Sequence, residues 1–301
     1  MTGAEDRFAD LPGAIRLCYR THGDPHGEPL VLIAGLGQEL ISWPEPFVER
    51  LVAGGYHVLR FDNRDAGRSS RIPIRPPGPL RQLTRRIGSD QYTLPDMASD
   101  TVSLMDQAGF PGAHVVGISM GGMIAQTIAA HHPSRVRTLT SIISTTGDRR
   151  AGKIALGTML RMGRPPATTR DQAAERAVQM MRHIGSRQFT TAEADVRLAA
   201  QTNWDRGDGA NAGPGVARQI GAIYASGDRT AELRRITAPT LVIHGDRDPM
   251  VHPSGGRATA AAIPGASFAE IPGMGHDLGA WPRLLDLVQA HIEGVRTRRA
   301  A

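Results

Sequence analysis

The stretch His114-Val115-Val116-Gly117-Ile118-Ser119-Met120-Gly121-Gly122 sets a serine between two glycines, after a valine-rich run and ahead of an amphipathic one. A serine at a sharp strand-to-helix turn is lifted clear of the sheet edge. It then faces the N–H groups and positive end of the following helix, a setting that stabilises an alkoxide or a tetrahedral oxyanion. Such a turn leaves no room for side chains two residues to either side, a demand that Gly117 and Gly121 meet. Serine is a poor nucleophile at its free pKa, so a base must take its proton and a carboxylate must hold that base in one tautomer. Of the eleven histidines, His276 in Pro272-Gly273-Met274-Gly275-His276-Asp277 stands after the final strand-like run and before the final helical one, and is the base candidate. Asp248 in His244-Gly245-Asp246-Arg247-Asp248-Pro249 is the acid candidate. Asp246 competes for that role, as does Asp148 at the end of an earlier strand, and a losing aspartate is expected to cap a turn. The two backbone donors of an oxyanion hole fall to Met120, directly after the serine, and to Leu36 in Ala34-Gly35-Leu36-Gly37-Gln38.

These residues need a scaffold, and the hydrophobic pattern supplies one. Short β-branched runs, at Leu30 to Ala34, Tyr56 to Asp62, His114 to Ile118, Val136 to Ser144, Thr240 to His244 and Ser267 to Ile271, are bounded by Gly, Pro, Asn or Asp. Helical patterns lie between them at Pro44 to Val52, Pro95 to Ala108 and Met120 to Ala130, and a last one runs from Pro282 to Val295. The alternation predicts an α/β protein with a mostly parallel central sheet flanked by helices. From about Gly147 to Thr230 it gives way to helical, Met-rich and Gly-rich sequence, read as an inserted helical cap. The expected division is a core in two parts, 1–146 and 233–301, with the cap at 147–232. Ile154, Leu156, Met159, Leu160, Met162, Met180 and Met181 are expected to roof the site, thioethers adapting readily to bulky ligands. The segment after Asp62 carries Arg71, Arg75, Arg81, Arg85 and Arg86, stiffened by Pro73, Pro76, Pro77 and Pro79, and is expected at the pocket mouth because loops leaving strand C-terminal ends carry the site.

Composition narrows the class. With 301 residues, 40% hydrophobic and 21% charged, the chain can bury a sizeable core and lacks the signature of a disordered one. The single cysteine, Cys18, excludes an internal disulfide or a cysteine-based metal cage, and no His-Glu pair has metal-ligand spacing, so no cofactor or metal is expected. The net charge of +6 is almost all arginine, Lys153 being the one lysine. No nucleic-acid motif accompanies that charge, and no nucleic-acid partner is expected. No export signal is visible at the N-terminus and no apolar run reaches the roughly 18 residues that span a bilayer. A cytoplasmic protein is expected, with peripheral contact with anionic lipid left open and the oligomeric state unspecified.

The segments AGLGQ from Ala34, DNRDAGRSS from Asp62, VVGISMGG from Val115, PTLVIHGDRDP from Pro239 and IPGMGHD from Ile271 together resemble the α/β-hydrolase superfamily, and within it actinobacterial esterases and lipases close to the anthracycline (aclacinomycin) methylesterases. The resemblance covers both halves of the core, roughly Ala14 to Ser144 and Leu233 to Ile292, and fades over the cap. It implies a mainly structural role for Asp62, Arg64, Gly67 and Ser69, and a serine hydrolase that cleaves a small-molecule carboxylic ester through an acyl-enzyme. Cleavage of thioesters, phospholipids or lactones, or cofactor-free perhydrolysis, would use the same constellation. A ligand-binding protein on a hydrolase scaffold is the alternative of a different class.

Overall fold

The computed structural model describes residues 5–207 and 209–300, without the side chains of Pro79, Leu83, Arg299 and Ala300. Residues 1–4, 208 and 301 of the expected division, and the Pro79 ring, therefore lie outside the described residues. In chain order the elements are β1 (Arg7–Leu11), β2 (Ile15–His22), β3 (Glu28–Ile33), α1 (Glu45–Ala53), β4 (Tyr56–Phe61), α2 (Pro79–Thr84), α3 (Leu94–Gln107), β5 (Ala113–Ile118), α4 (Met120–His131) and β6 (Val136–Ile142). Five helices follow: α5 (Leu156–Met162), α6 (Arg170–Ile184), α7 (Glu193–Arg206), α8 (Ala212–Ser226) and α9 (Thr230–Leu233). Then come β7 (Thr240–Gly245), α10 (Ser254–Ala262), β8 (Ser267–Ile271) and α11 (Trp281–Ala300).

One eight-stranded sheet runs in the order β1-β2-β4-β3-β5-β6-β7-β8. From β4 to β8 all neighbours are parallel, while β1 and β2 join antiparallel at one edge. The mostly parallel sheet agrees with the fold class read from the sequence, and all six expected strands are present within two residues at each end. The β1–β2 hairpin was not expected. Its turn takes Gly13 and Ala14 through positive φ (76° and 59°), and its strands carry mixed polar residues rather than a clean alternation.

Side-chain alternation along the strands builds two cores. On one face Val31, Ile33, Leu59, Val115 and Leu139 pack with Met97 and Leu104 of α3 and Ile124 and Ile128 of α4. On the other, Leu30, Leu32, Val58, Val116 and Ile142 pack with Phe47 and Leu51 of α1 and Leu284, Leu285, Val288 and Ile292 of α11. Each fully buried aliphatic of this size contributes roughly 1.5–3 kcal/mol, so the strand ends that carry the site are fixed from both faces.

The loops at those ends are held by charge. Asp62, wholly buried, accepts the N–H of Leu40 (2.7 Å) and of Arg68 (2.9 Å), and Asn63 Nδ2 donates to Ala34 O (3.1 Å). Ser69 donates to Asp62 O (2.7 Å) and accepts from Cys18 N (2.9 Å). The segment from Asp62 to Ser69 thereby fixes the backbone around Leu36. Arg206, the last residue of α7, reaches into the same place, 2.7 Å from Asp62 Oδ2, 2.6 Å from Glu39 Oε2 and 3.1 Å from Asp6 Oδ2. Burial disfavours the charge on Arg206, but the attraction of Asp62 and of Glu39 outweighs it and holds the guanidinium charged.

Arg206→Met leaves Glu39 and Asp62 buried without the cation between them, while Asp6 keeps Arg20 and Arg68, and removing one partner of a buried ion pair costs about 3–5 kcal/mol. Burial and the charge of Asp62 raise the pKa of Glu39 while Arg206 opposes them, so without the cation its folded pKa lies further above the unfolded one and protonation favours the folded state. The deficit against wild type should therefore shrink as pH falls from 7 towards 5. Urea unfolding across that range measures it, and a deficit independent of pH would remove the electrostatic account.

Candidate active site

Four strands bring their C-terminal ends together here: β3 leads to Leu36, β5 to Ser119, β7 to Asp246 and Asp248, and β8 to His276. Ser119 closes β5 and caps α4 with φ 55° and ψ −118°, a conformation an L-residue adopts at a cost of about 1–3 kcal/mol. Its N–H donates to Ile142 O (2.9 Å) and its carbonyl accepts Ser144 Oγ (2.9 Å), so β6 holds the strained turn. A Cβ on Gly117 would lie 2.2 Å from Gly121 O, and one on Gly121 would lie 2.2 Å from Ile33 O. Both glycines are there because backbone meets backbone.

Ser119 Oγ lies 3.0 Å from His276 Nε2, and His276 Nδ1 lies 2.7 Å from Asp248 Oδ2. Asp248 is buried, and its other oxygen accepts the N–H groups of Met250 and Val251, each at 2.8 Å. Burial raises its pKa, but the charge of His276 and the hydrogen bonds from His244, His276 and Val251 N–H outweigh that and hold the carboxyl well below the usual carboxylate range. The other two aspartates serve turns. Asp246 Oδ1 accepts Gly273 N–H (2.6 Å) and so braces the loop that carries His276, while Asp148 accepts Arg150 N–H (2.9 Å).

Two features were not legible in the sequence. His244 is buried beside Asp248, its Nε2 3.5 Å from Asp248 Oδ2 and 2.8 Å from Val251 O. A carbonyl requires a donor, so that imidazole carries its proton on Nε2. The second feature is a clamp on the histidine loop. His276 N–H donates to Ile184 O (2.7 Å) at the end of α6, and Gly275 N–H donates to Ser186 Oγ (3.0 Å). Ser186 in turn donates through its hydroxyl (2.8 Å) and its N–H to the Asp277 carboxylate. The signal for Asp277 was its place beside His276. Ser186, 91 residues away in sequence, had none.

A cavity of about 690 Å³ opens from Ser119. Leu36, Met120 and Met123 line it from the core, Ile154, Met162, Ile220, Ile223 and Tyr224 from the segment between β6 and β7, and Met250 and Val251 from the loop after β7. Met120 is the first residue of α4, where the N–H has no intrahelical acceptor. Two expectations need correction. Of the seven residues expected to roof the site, Ile154 and Met162 line the cavity. Thr158, buried on α5 and hydrogen-bonded to Pro249 O (3.2 Å) and His183 Nε2 (2.9 Å), turns the opposite face outward. Leu156, Met159 and Leu160 are accordingly 65%, 47% and 66% exposed, and Met180 and Met181 are half-buried away from the cavity wall. Of the five arginines expected at the mouth, Arg85 lines the cavity. The segment winds into α2 against α8, Arg71 turns inward to Gly67 O (2.6 Å), and Arg75, Arg81 and Arg86 are exposed outside the lining.

The family model of the alpha/beta hydrolase fold matches residues 28–281. The chain is 33% identical over 275 residues to the rhodomycin D methylesterase DnrP of Streptomyces peucetius, covering 85% of this chain and 87% of that one. It is 32% identical to the rhodomycin D methylesterase DauP of Streptomyces sp. (strain C5), with the same coverage. Among solved structures it is similar to the enol-lactonase from Burkholderia xenovorans LB400, with a TM-score of 0.72, 24% identity, and coverage of 95% of this chain and 100% of the other.

Ser186→Ala removes the hydroxyl between Gly275 and Asp277 and leaves the buried Gly275 N–H without its acceptor, a loss of about 1–3 kcal/mol. Amide exchange across 273–279 should quicken by about tenfold or more while that of β7 stays as in wild type. Hydrogen–deuterium exchange mass spectrometry reads both, and unchanged protection of the loop would dissolve the clamp.

Proposed function

Because the chain belongs to the α/β-hydrolase fold family, we propose that it hydrolyses a carboxylic ester through an acyl-enzyme, with Ser119 as nucleophile, His276 as general base and Asp248 orienting that histidine. The observation that carries this reading is the unbroken hydrogen-bonded line from Ser119 Oγ through both nitrogens of His276 to an ionised, buried Asp248, at the wall of a cavity large enough for a substantial ligand. Methylesterase relatives support ester cleavage as the reaction, and a methyl ester of a bulky carboxylic acid is the first substrate to try.

In this mechanism His276 Nε2 takes the Ser119 proton as Oγ attacks the ester carbonyl. The oxyanion is met by the N–H groups of Met120 and Leu36 and by the positive end of α4. Collapse expels the alcohol, which takes the proton from His276. Water then attacks the acyl group, His276 again acting as base, and collapse breaks the bond to Ser119 Oγ, which takes the proton back from His276 as the acid leaves. Asp248 does not change protonation; it fixes the Nδ1–H tautomer and stabilises the transient imidazolium. The segment 147–232 serves as a cap, its helices supplying one wall of the acyl site.

Ser119→Ala and His276→Ala should each lower kcat by about 10⁶, with little further loss in the double variant because the two act as one unit. Asp248→Asn should cost about 10⁴, and Asp246→Asn far less. A chromogenic ester with burst analysis measures all five, and a larger loss at Asp246 than at Asp248 would move the acid role.

A second reading, contact with an anionic lipid surface, rests on the outward face of α5, where exposed Leu156, Met159 and Leu160 lie among Lys153, Arg161 and Arg164. Replacing Leu156 and Leu160 with serine should then reduce binding to phosphatidylserine-containing vesicles by about a hundredfold or more, each buried leucine being worth roughly 1.5–3 kcal/mol. Equal vesicle binding by the variant and wild type in a sedimentation assay would retire the idea.

A further inference from the structure

Much of the cavity wall is apolar, but the charged part of its lining is unbalanced. Arg85, Arg149, Arg150 and Lys153 line it against two carboxylates, Asp148 and Asp228. Both carboxylates already serve the backbone: Asp148 accepts Arg150 N–H (2.9 Å), and Asp228 accepts Thr230 N–H (2.9 Å) and its hydroxyl (2.6 Å). Among the described residues none of the four cations has a carboxylate within ion-pair distance.

The cations are also placed rather than scattered. Arg149, Arg150 and Lys153 sit on one short segment between β6 and α5 whose backbone is tied down at several points. Asp148 N–H donates to Thr146 Oγ1 (3.1 Å), Gly152 N–H to Ser254 Oγ (3.0 Å) and Ala155 N–H to Pro249 O (2.9 Å). A Cβ on Gly152 would lie 2.7 Å from Thr145 Oγ1, so the segment runs hard against the end of β6. Arg85 comes from a different part of the chain, after α2, and its guanidinium stands 5.0 Å over the Tyr224 ring, which also lines the cavity. Unpaired cations at the rim of an apolar, low-dielectric cavity focus a positive potential into it.

We infer that the ester substrate carries an anionic group, a carboxylate or phosphate, on its acyl part, and that Arg149, Arg150 and Lys153, with Arg85, receive it while Ser119 attacks the ester carbonyl. This rests on the proposed esterase reading and adds the substrate class to it. A single charge-assisted contact at a partly exposed site is enough to discriminate about tenfold.

The test compares two 4-nitrophenyl esters of equal chain length, one of a dicarboxylic acid with its far carboxylate free and one of the matching neutral monocarboxylic acid. In wild type at low salt kcat/KM should favour the anionic ester by about tenfold or more, and the preference should decline as ionic strength rises. In Arg149→Gln/Arg150→Gln/Lys153→Gln the ratio should fall to about one. A wild-type ratio near one, or a ratio that neither salt nor the triple substitution changes, overturns the inference. If neither ester is cleaved, the esterase reading fails by itself, and calorimetric titration of Ser119→Ala with the methyl esters of the same two acids decides the anion site. Tighter binding of the charged ester, lost in the triple substitution, upholds it; equal binding overturns it.

Discussion

Everything at the active end of the sheet depends on how closely the first turn of α4 lies against the end of β3. The backbone at Gly121 approaches Ile33 O so nearly that a single methyl group would stand 2.2 Å from that oxygen and 2.6 Å from Ala34 O. This contact sets the N-terminus of α4, and with it Met120, beside the loop that carries Leu36. It also forces Ser119 into its positive-φ turn. The strain persists because its surroundings over-determine it: the Ile142 carbonyl and the Ser144 hydroxyl hold the peptide on either side of the serine, and two independent cores hold the strands.

The arginine excess of the chain conceals two different uses of one side chain. Arg64 lies in a two-pronged pair with Asp100 (2.6 and 2.7 Å), and Arg218 pairs in the same way with Asp65 (2.9 and 2.6 Å). Arg229, buried behind Met123 and Thr145, donates to Gln126 Oε1 and to two carbonyls with no carboxylate in contact, and burial lowers its pKa to about 10. These guanidinium groups act as structural fasteners, suited to the work because the planar fork satisfies several acceptors at once. The cations around the cavity have no such task. Net charge adds both kinds together and so could not have told them apart.

What was legible in the sequence was whatever a local pattern encodes. The parallel strands show as β-branched runs because both faces are buried, and the glycines around Ser119 show because the turn excludes a Cβ. The β1–β2 edge was not legible, since Arg7–Leu11 is half exposed and pairs antiparallel with a strand of mixed polarity. The apolar residues of α5 read as a roof because periodicity reports that a face exists and not which way it points. Thr158 decided the direction through partners distant in sequence, Pro249 and His183. Asp246 and Asp248 stand on one short loop in the same chain order, so their pattern left both open; three-dimensional contacts separate them, Asp248 meeting the imidazole and Asp246 bracing Gly273.

The clamp between Ser186 and Asp277 bears on how such a scaffold diversifies. A segment inserted between two strands invites treatment as an interchangeable module, to be exchanged for another whenever a new ligand must be accommodated. Here the module and the imidazole loop share hydrogen bonds: Ile184 O accepts His276 N–H, Ser186 Oγ accepts Gly275 N–H, and Arg187 N–H donates to Gly273 O. Replacing the whole insertion would strip that loop of these supports and leave it the ones from the loop after β7. An exchange confined to the stretch before Ile184 leaves the hydrogen bonds of the imidazole loop in place, whereas one that reaches Ile184, Ser186 or Arg187 removes them.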